Sequence, residues 1–215
     1  MKISSQCRSL ALAIPAVTLM NPSPAAAHPH VWVVVRDTIV FKNGAVSGVQ
    51  HSWTFDDAYT AMAIEGLDTN NDGKYDRAEL QPLAQTNIDG LHEFENFTYA
   101  HAGDKKLAFS APRDYWLEYP DGKLTLHFYL PFAEPIQAPV SELKIKVEDP
   151  SYFIAFEFAK DNAVALSDGA PKTCSASLGK GEVNPDDQAL AEAFATEMVS
   201  VEGGVASVIN VACSK

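Results

Sequence analysis

Residues 30–41, HVWVVVRDTIVF, are β-branched or aromatic nearly throughout, and Asn43-Gly44 follows almost at once. Asn-Gly supplies the two positive-φ positions of a tight two-residue turn, so the run reads as a strand entering a hairpin. Ala45 to Phe55 is the return strand. A hairpin this long must bury one face against a second layer, which commits the chain to a sheet-based core. With 215 residues, 47% of them hydrophobic, there is enough chain for one such core.

The segments that follow suggest where the remaining elements lie. Asp56 to Leu67 is expected to be helical, and so is Arg77 to about Glu95, with Pro82 expected to break or restart that second helix. Short strands are expected from Phe97 onward, at 97–101, 106–110, 115–119, 123–130, 142–147 and 152–158. Asn184-Pro185-Asp186-Asp187 has an N-cap, a proline at the first helical position and acids in the first turn, so a helix is expected to run to Met198. Val205 to Ala212 closes the chain as a strand. The expected fold class is α+β: mostly antiparallel sheets, a single EF-hand-like helix-loop-helix insertion and a C-terminal helix.

The first 27 residues read as a secretory signal. Lys2 and Arg8 precede an apolar run from Ser9 to Met20, and Ala25-Ala26-Ala27 offers an A-x-A cleavage pattern. The apolar run is shorter than the roughly 20 residues that span a bilayer. Residues 28–215 are then a single domain, expected in the periplasm. Cleavage leaves Cys174 and Cys213, an even pair that in an oxidising compartment reads as one disulfide. Only Met62 and Met198 remain as thioether ligands, a poor set for Cu(I).

Charge narrows the partners. The chain carries 28 Asp and Glu against 16 Lys and Arg, for a net charge of −12. Nucleic-acid backbones and anionic lipid surfaces both require basic patches, so neither is an expected partner. Cations, neutral molecules and basic proteins remain.

Residues 68–79, DTNNDGKYDRAE, match the calcium-loop pattern throughout. Asp68, Asn70 and Asp72 fill positions 1, 3 and 5, and Gly73 stands where the sharp turn is required. Lys74 would offer its backbone carbonyl, Asp76 the water-bridged position and Glu79 the bidentate carboxylate. With no second hand to pair with, this calcium is expected to clip two helices together rather than act as a sensor.

Cleavage after Ala27 would expose His28-Pro29-His30. The terminal amine and imidazole of His28 can chelate a metal together, with His30 two residues on. Pro29 has no amide proton, which excludes the terminal chelation mode that needs a deprotonated second amide. Nickel, cobalt, zinc and Cu(II) suit the remaining donors. With Lys42 facing Ala45 across the turn, His30 would face Asp57 and Arg36 would face His51. Asp57 is therefore the third candidate ligand, whereas His51 lies roughly 20 Å from His30 and reads as a satisfied sheet histidine. His127, expected opposite Trp116, also reads as structural, as do His92 and His101 among aromatics.

The segments HPHVW at 28–32, SWTFDDAYTA at 52–61, LDTNNDGKYDRAEL at 67–80, LPFAEPI at 130–136 and EDPSYFIAF at 148–156 occur in this order. As a set they resemble an exported bacterial family catalogued as domain of unknown function 1007. That family is often labelled a periplasmic component of an uncharacterised ABC-type transport system. The resemblance implies an association with nickel/cobalt-type transporters and assigns no catalytic residue.

No H-E-x-x-H, G-x-S-x-G or glycine-rich phosphate loop occurs, so the chain is read as a non-enzyme. The function expected is that of a periplasmic divalent metal-binding accessory protein for a nickel/cobalt/zinc-type transport system, with a structural calcium site. The alternative is a calcium-stabilised periplasmic interaction or scaffold protein without a transition-metal role.

Overall fold

A computed structural model describes residues 30–140, 142–151, 153–180 and 207–214. The leader at 1–27, His28 and the helix expected at 184–198 lie outside the described residues.

Strands β1 (Val31–Lys42) and β2 (Ala45–Phe55) form the expected hairpin, with Asn43 and Gly44 both at positive φ. Helices α1 (Asp57–Ala63) and α2 (Arg77–His92) follow. The chain then runs through β3 (Thr98–Ala102), β4 (Lys105–Leu107), β5 (Arg113–Glu118), β6 (Thr125–Gln137) and β7 (Leu143–Val147). The described elements end with β8 (Ile154–Phe158), β9 (Val164–Leu166), β10 (Cys174–Lys180) and β11 (Ser207–Cys213). One sheet has the order β5-β6-β2-β1-β8, with β9 also pairing β1, and the other is β10-β11-β7-β3-β4.

The two sheets share cores. Ile39, Phe41, Val46 and Val49 of the first pack against Ala100, Leu143, Ile145, Ile209 and Val211 of the second. Helix α2 covers another part of the first sheet, burying Leu80, Ala84, Ile88 and Leu91 with Val33, Val35, Trp53 and Phe55. His127 stands opposite Trp116, their rings stacked at 4.7 Å, as the second hairpin predicted.

The expected fold class needs correction. Among the described residues there are eleven strands and two α-helices, so the architecture is dominated by β-structure. It is also not all antiparallel: β8 and β9 both run parallel to β1. The helical segment is not an EF-hand either. The entering helix α1 has only seven residues and ends at Ala63, five positions before Asp68. Gly66, at φ 75°, and the Leu67 N–H to Ile64 O bond turn the chain out of the helix before the loop begins. Without a helix running into position 1, the loop lacks the paired-helix geometry that defines the hand.

Pro82 does not break α2. It removes one backbone bond in the second turn, a cost of about 3 kcal/mol in a helix interior. The four buried apolar residues of α2 outweigh it, as tertiary packing commonly does for helices. Tyr59 links the two helices, donating its hydroxyl to Asn87 Oδ1 at 3.1 Å.

The register of the first hairpin also departs from expectation. Lys42 faces Ala45 and Phe41 faces Val46, as the two-residue turn requires. A β-bulge then intervenes: Val40 pairs with Gly48, leaving Ser47 unpaired on β1, and every pair beyond is shifted by one. Ser47 Oγ donates to Val40 O at 3.0 Å, and Tyr129 donates its hydroxyl to Ser47 O at 2.9 Å, so the extra residue is held from both sides.

Candidate functional site

The loop at 68–79 is organised by its own side chains. Asp68 accepts from the Asp72 and Gly73 amides at 3.1 and 2.9 Å, Asn70 from the Asp72 amide at 2.8 Å, and Asp72 from the Lys74 amide at 2.8 Å. Asn71 and Gly73 take φ of 57° and 76°, the left-handed conformation that lets the chain double back. Asp76 is the N-cap of α2, and it forms a capping box with Glu79.

Glu79 Oε1 also reaches across the loop, accepting from Thr69 N at 2.8 Å and Thr69 Oγ1 at 2.9 Å. The Asp76 amide and the Thr69 hydroxyl lead the interactions that hold its carboxyl below the usual range. Tyr75, between the acids, packs edge-on against Tyr119 at 5.0 Å and anchors the loop to the core. The carboxylates are thus directed at backbone N–H groups. Among the described residues no three His, Cys, Asp or Glu side chains are grouped closely enough to hold a metal ion.

The described members of the histidine-centred set have other partners. His30 donates its backbone N–H to Phe153 O at 2.8 Å, and its ring sits 4.9 Å from that of Phe153, on the β8 side of β1. Asp57 is exposed and pairs with Lys123 Nζ at 3.1 Å. The carboxylate that meets the start of β1 is Asp56, which accepts from the Trp32 amide at 2.6 Å and caps α1 through the Tyr59 amide at 2.9 Å. Burial pushes the Asp56 carboxyl up, but the Trp32, Tyr59 and Ala58 amides together outweigh it and hold the carboxyl below its ordinary value.

The bulge assembles a pair that sequence reasoning did not. With the register shifted by one, His51 faces Asp37 instead of Arg36. Asp37 Oδ1 lies 2.8 Å from His51 Nδ1, and both side chains are fully buried. The imidazole stacks on Phe128 at 4.6 Å and meets Trp53 edge-on at 5.3 Å. Its Nε2 approaches Thr98 Oγ1 of the other sheet at 3.5 Å, and Thr98 donates that hydroxyl to Asn96 O at 2.9 Å. A polar chain therefore crosses between the two sheets, and Asp37 Oδ2 has no partner in it. Buried ionisable groups of this kind are held by packing and are uncommon unless paired.

Cys174 and Cys213 are bonded as a disulfide and stand directly opposite each other in the β10–β11 ladder. Disulfides persist in oxidising compartments, which is compatible with a secreted protein. Among the described residues no helix is long and apolar enough to cross a membrane.

The structure thus defines a two-sheet protein with a carboxylate-rich loop and a buried Asp–His pair. A family described as "Protein of unknown function (DUF1007)" matches residues 13–213, and the chain belongs to it. An uncharacterized protein of Haemophilus influenzae is 25% identical over 170 residues, covering 78% of this chain and 80% of that protein. An uncharacterized 15.5 kDa protein encoded in the trpE 3' region of Spirochaeta aurantia is 31% identical over 99 residues, covering 46% of this chain and 70% of its own length.

Proposed function

We propose that the protein is a periplasmic divalent-metal-binding accessory protein for a nickel-, cobalt- or zinc-type transport system, acting by binding rather than by catalysis. Loop 68–79 would be its structural calcium site. The observation that carries this reading is the loop itself. It sets out Asp68, Asn70, Asp72 and Glu79 with the Lys74 carbonyl, a hard-oxygen set of the kind Ca²⁺ takes. The positive φ at Asn71 and Gly73 supplies the turn that such a loop needs. Glu79 would have to leave the Thr69 and Asn70 amides to become a ligand, while Asp76 would keep its cap on α2. His28, His30 and Asp57 would supply the transition-metal donors in the processed chain.

Calorimetric titration of EDTA-treated protein beginning at His28, purified without a histidine tag, tests both parts. One saturable calcium site and a raised Tm are expected, and Asp68→Ala and Glu79→Gln should each abolish them. A flat calcium titration overturns the structural-site reading. Nickel, cobalt, zinc and Cu(II) should each be compared between wild type and His30→Ala.

The Asp57–Lys123 pair favours a second reading, a calcium-stabilised periplasmic interaction or scaffold protein. Transition-metal affinities unchanged in His30→Ala, and also unchanged when an extra residue blocks the His28 amine, would support it over the first.

A further inference from the structure

The pairing of β2 with β6 breaks beside Ser47: Val46 pairs with Ile136 and Gly48 with Pro131. Ser47 therefore stands against residues 132–135, and that extra chain leaves the ladder. A cavity of about 540 Å³ opens here, bounded by the irregular part of β6, the turn after β1 and the start of β5. Its volume is that of a small-molecule site.

Tyr129 lines the cavity and is fixed in place. Its hydroxyl donates to Ser47 O at 2.9 Å, and its ring lies so close to Gly48 that a Cβ there would be 2.8 Å from Cε2. Two cations meet over this ring, with Lys42 Nζ at 5.0 Å and Arg113 Cζ at 5.1 Å from its centroid. Their charges are thus at most about 10 Å apart. An aromatic face holds a cation without neutralising it. Among the described residues neither Lys42 nor Arg113 forms an ion pair. Asp114 and Glu134 belong to the bounding segments, yet no Asp or Glu lines the cavity. In a chain of net charge −12 this is a local excess of positive charge.

We propose that this cavity binds a short organic dicarboxylate, one carboxylate on the Arg113 guanidinium and the other on Lys42 Nζ. The guanidinium fork matches a planar carboxylate, and the ammonium meets the second as a point charge. Like charges this close repel, and a dianion between them relieves the repulsion. Two separate cations favour two separate carboxylates over one compact anion. The carbon chain would lie against Pro131 and Pro135, which line the cavity and have no N–H to leave unpaired. The proposal is independent of the cation-binding reading, because it uses no residue of loop 68–79 or of the histidine set.

Succinate, succinamide and inorganic phosphate are suitable probes: a dicarboxylate, its uncharged analogue and a compact anion. Titrated into the full processed chain at neutral pH and constant ionic strength, succinate should give saturable NMR shifts centred on residues 42–47, 110–113 and 129–137. The other two should each bind at least about tenfold more weakly, since a site built for two charged ends rejects a ligand lacking them. Lys42→Gln and Arg113→Gln alter exposed side chains and should fold, and each should weaken succinate at least about tenfold. Lys160→Gln removes the same charge at an exposed position beyond β8 and should leave binding unchanged. Succinamide or phosphate binding as tightly as succinate, unchanged binding in Lys42→Gln or Arg113→Gln, or an equal loss in Lys160→Gln would overturn the site. So would shifts centred elsewhere, or no saturable shift up to about 10 mM. Should a variant fail to fold, the comparison of the three probes on the wild type decides alone.

Discussion

Asp37 Oδ1 and His51 Nδ1 meet at 2.8 Å in the core only because Ser47 is an extra residue in β2. Either side chain alone would be a buried polar group without its partner. Asp37→Ala or His51→Ala is therefore expected to cost about 3–5 kcal/mol, the range for breaking a buried pair from one side. The double variant Asp37→Leu/His51→Phe should recover much of that loss, since an apolar pair of similar volume avoids the desolvation penalty. Urea denaturation of wild type, Asp37→Ala, His51→Ala and Asp37→Ala/His51→Ala measures the coupling. Additive losses would mean that the two side chains do not act as a pair.

Gly48 sits beside the same bulge, under β6. A Cβ built there would lie 2.4 Å from Leu130 O and 2.7 Å from Pro131 Cα, both backbone atoms that cannot swing aside. Gly48→Ala should force the two strands apart and cost about 1–3 kcal/mol, typical of overpacking. Gly44→Ala meets no atom within 4 Å, and its cost should come from positive φ alone. Thermal melts of both variants separate the two effects.

Asp56 joins the start of β1 to the start of α1 through the Trp32 and Tyr59 amides. Asp56→Ala should cost about 1–2 kcal/mol at neutral pH through loss of the helix cap. The sign of its pH dependence follows from its lowered pKa. The unfolded chain takes up the proton first as pH falls, so the carboxylate's contribution is fully present above roughly pH 5 and fades below about pH 4. The stability gap between wild type and Asp56→Ala should therefore narrow in acid. A gap that widens there would contradict the assignment.

Cys174 and Cys213 are separated by 39 positions. Closing a loop of that size restricts the unfolded chain, and the double Cys→Ser variant is expected to lose about 3–4 kcal/mol. With reductant, the wild-type denaturation midpoint should fall to that of the variant; without reductant it should stay above it.

Much of the architecture was legible from local chemistry. Asn43-Gly44 placed the first turn, the β-branched and aromatic run before it placed β1 and thereby β2 as its return strand, and the 121–122 turn placed His127 opposite Trp116. The acid pattern of 68–79 located a loop whose turn residues take the required positive φ. Helix α1, by contrast, is shorter than its composition suggested, and the parallel placement of β8 and β9 beside β1 has no local signal at all. Long-range strand pairing depends on which faces find each other, and no window of sequence contains both partners.

The bulge marks the boundary between the two kinds of information. A two-residue turn at 43–44 makes odd-numbered residues of β1 face even-numbered ones of β2. Yet the buried series Val33, Val35, Ile39 and Val49, Trp53, Phe55 are odd on both strands. Directly opposed side chains share a face, so the two patterns agree only if one residue is left out of the ladder. The sequence by itself determined the turn at 43–44 and the residue types of both strands, from which an unbulged register is read; the need for a bulge shows only in which residues are buried. That Ser47 would be the residue left out was decided by tertiary structure. Tyr129 of β6 holds its carbonyl, and the close approach of β6 at Gly48 leaves room there for no side chain.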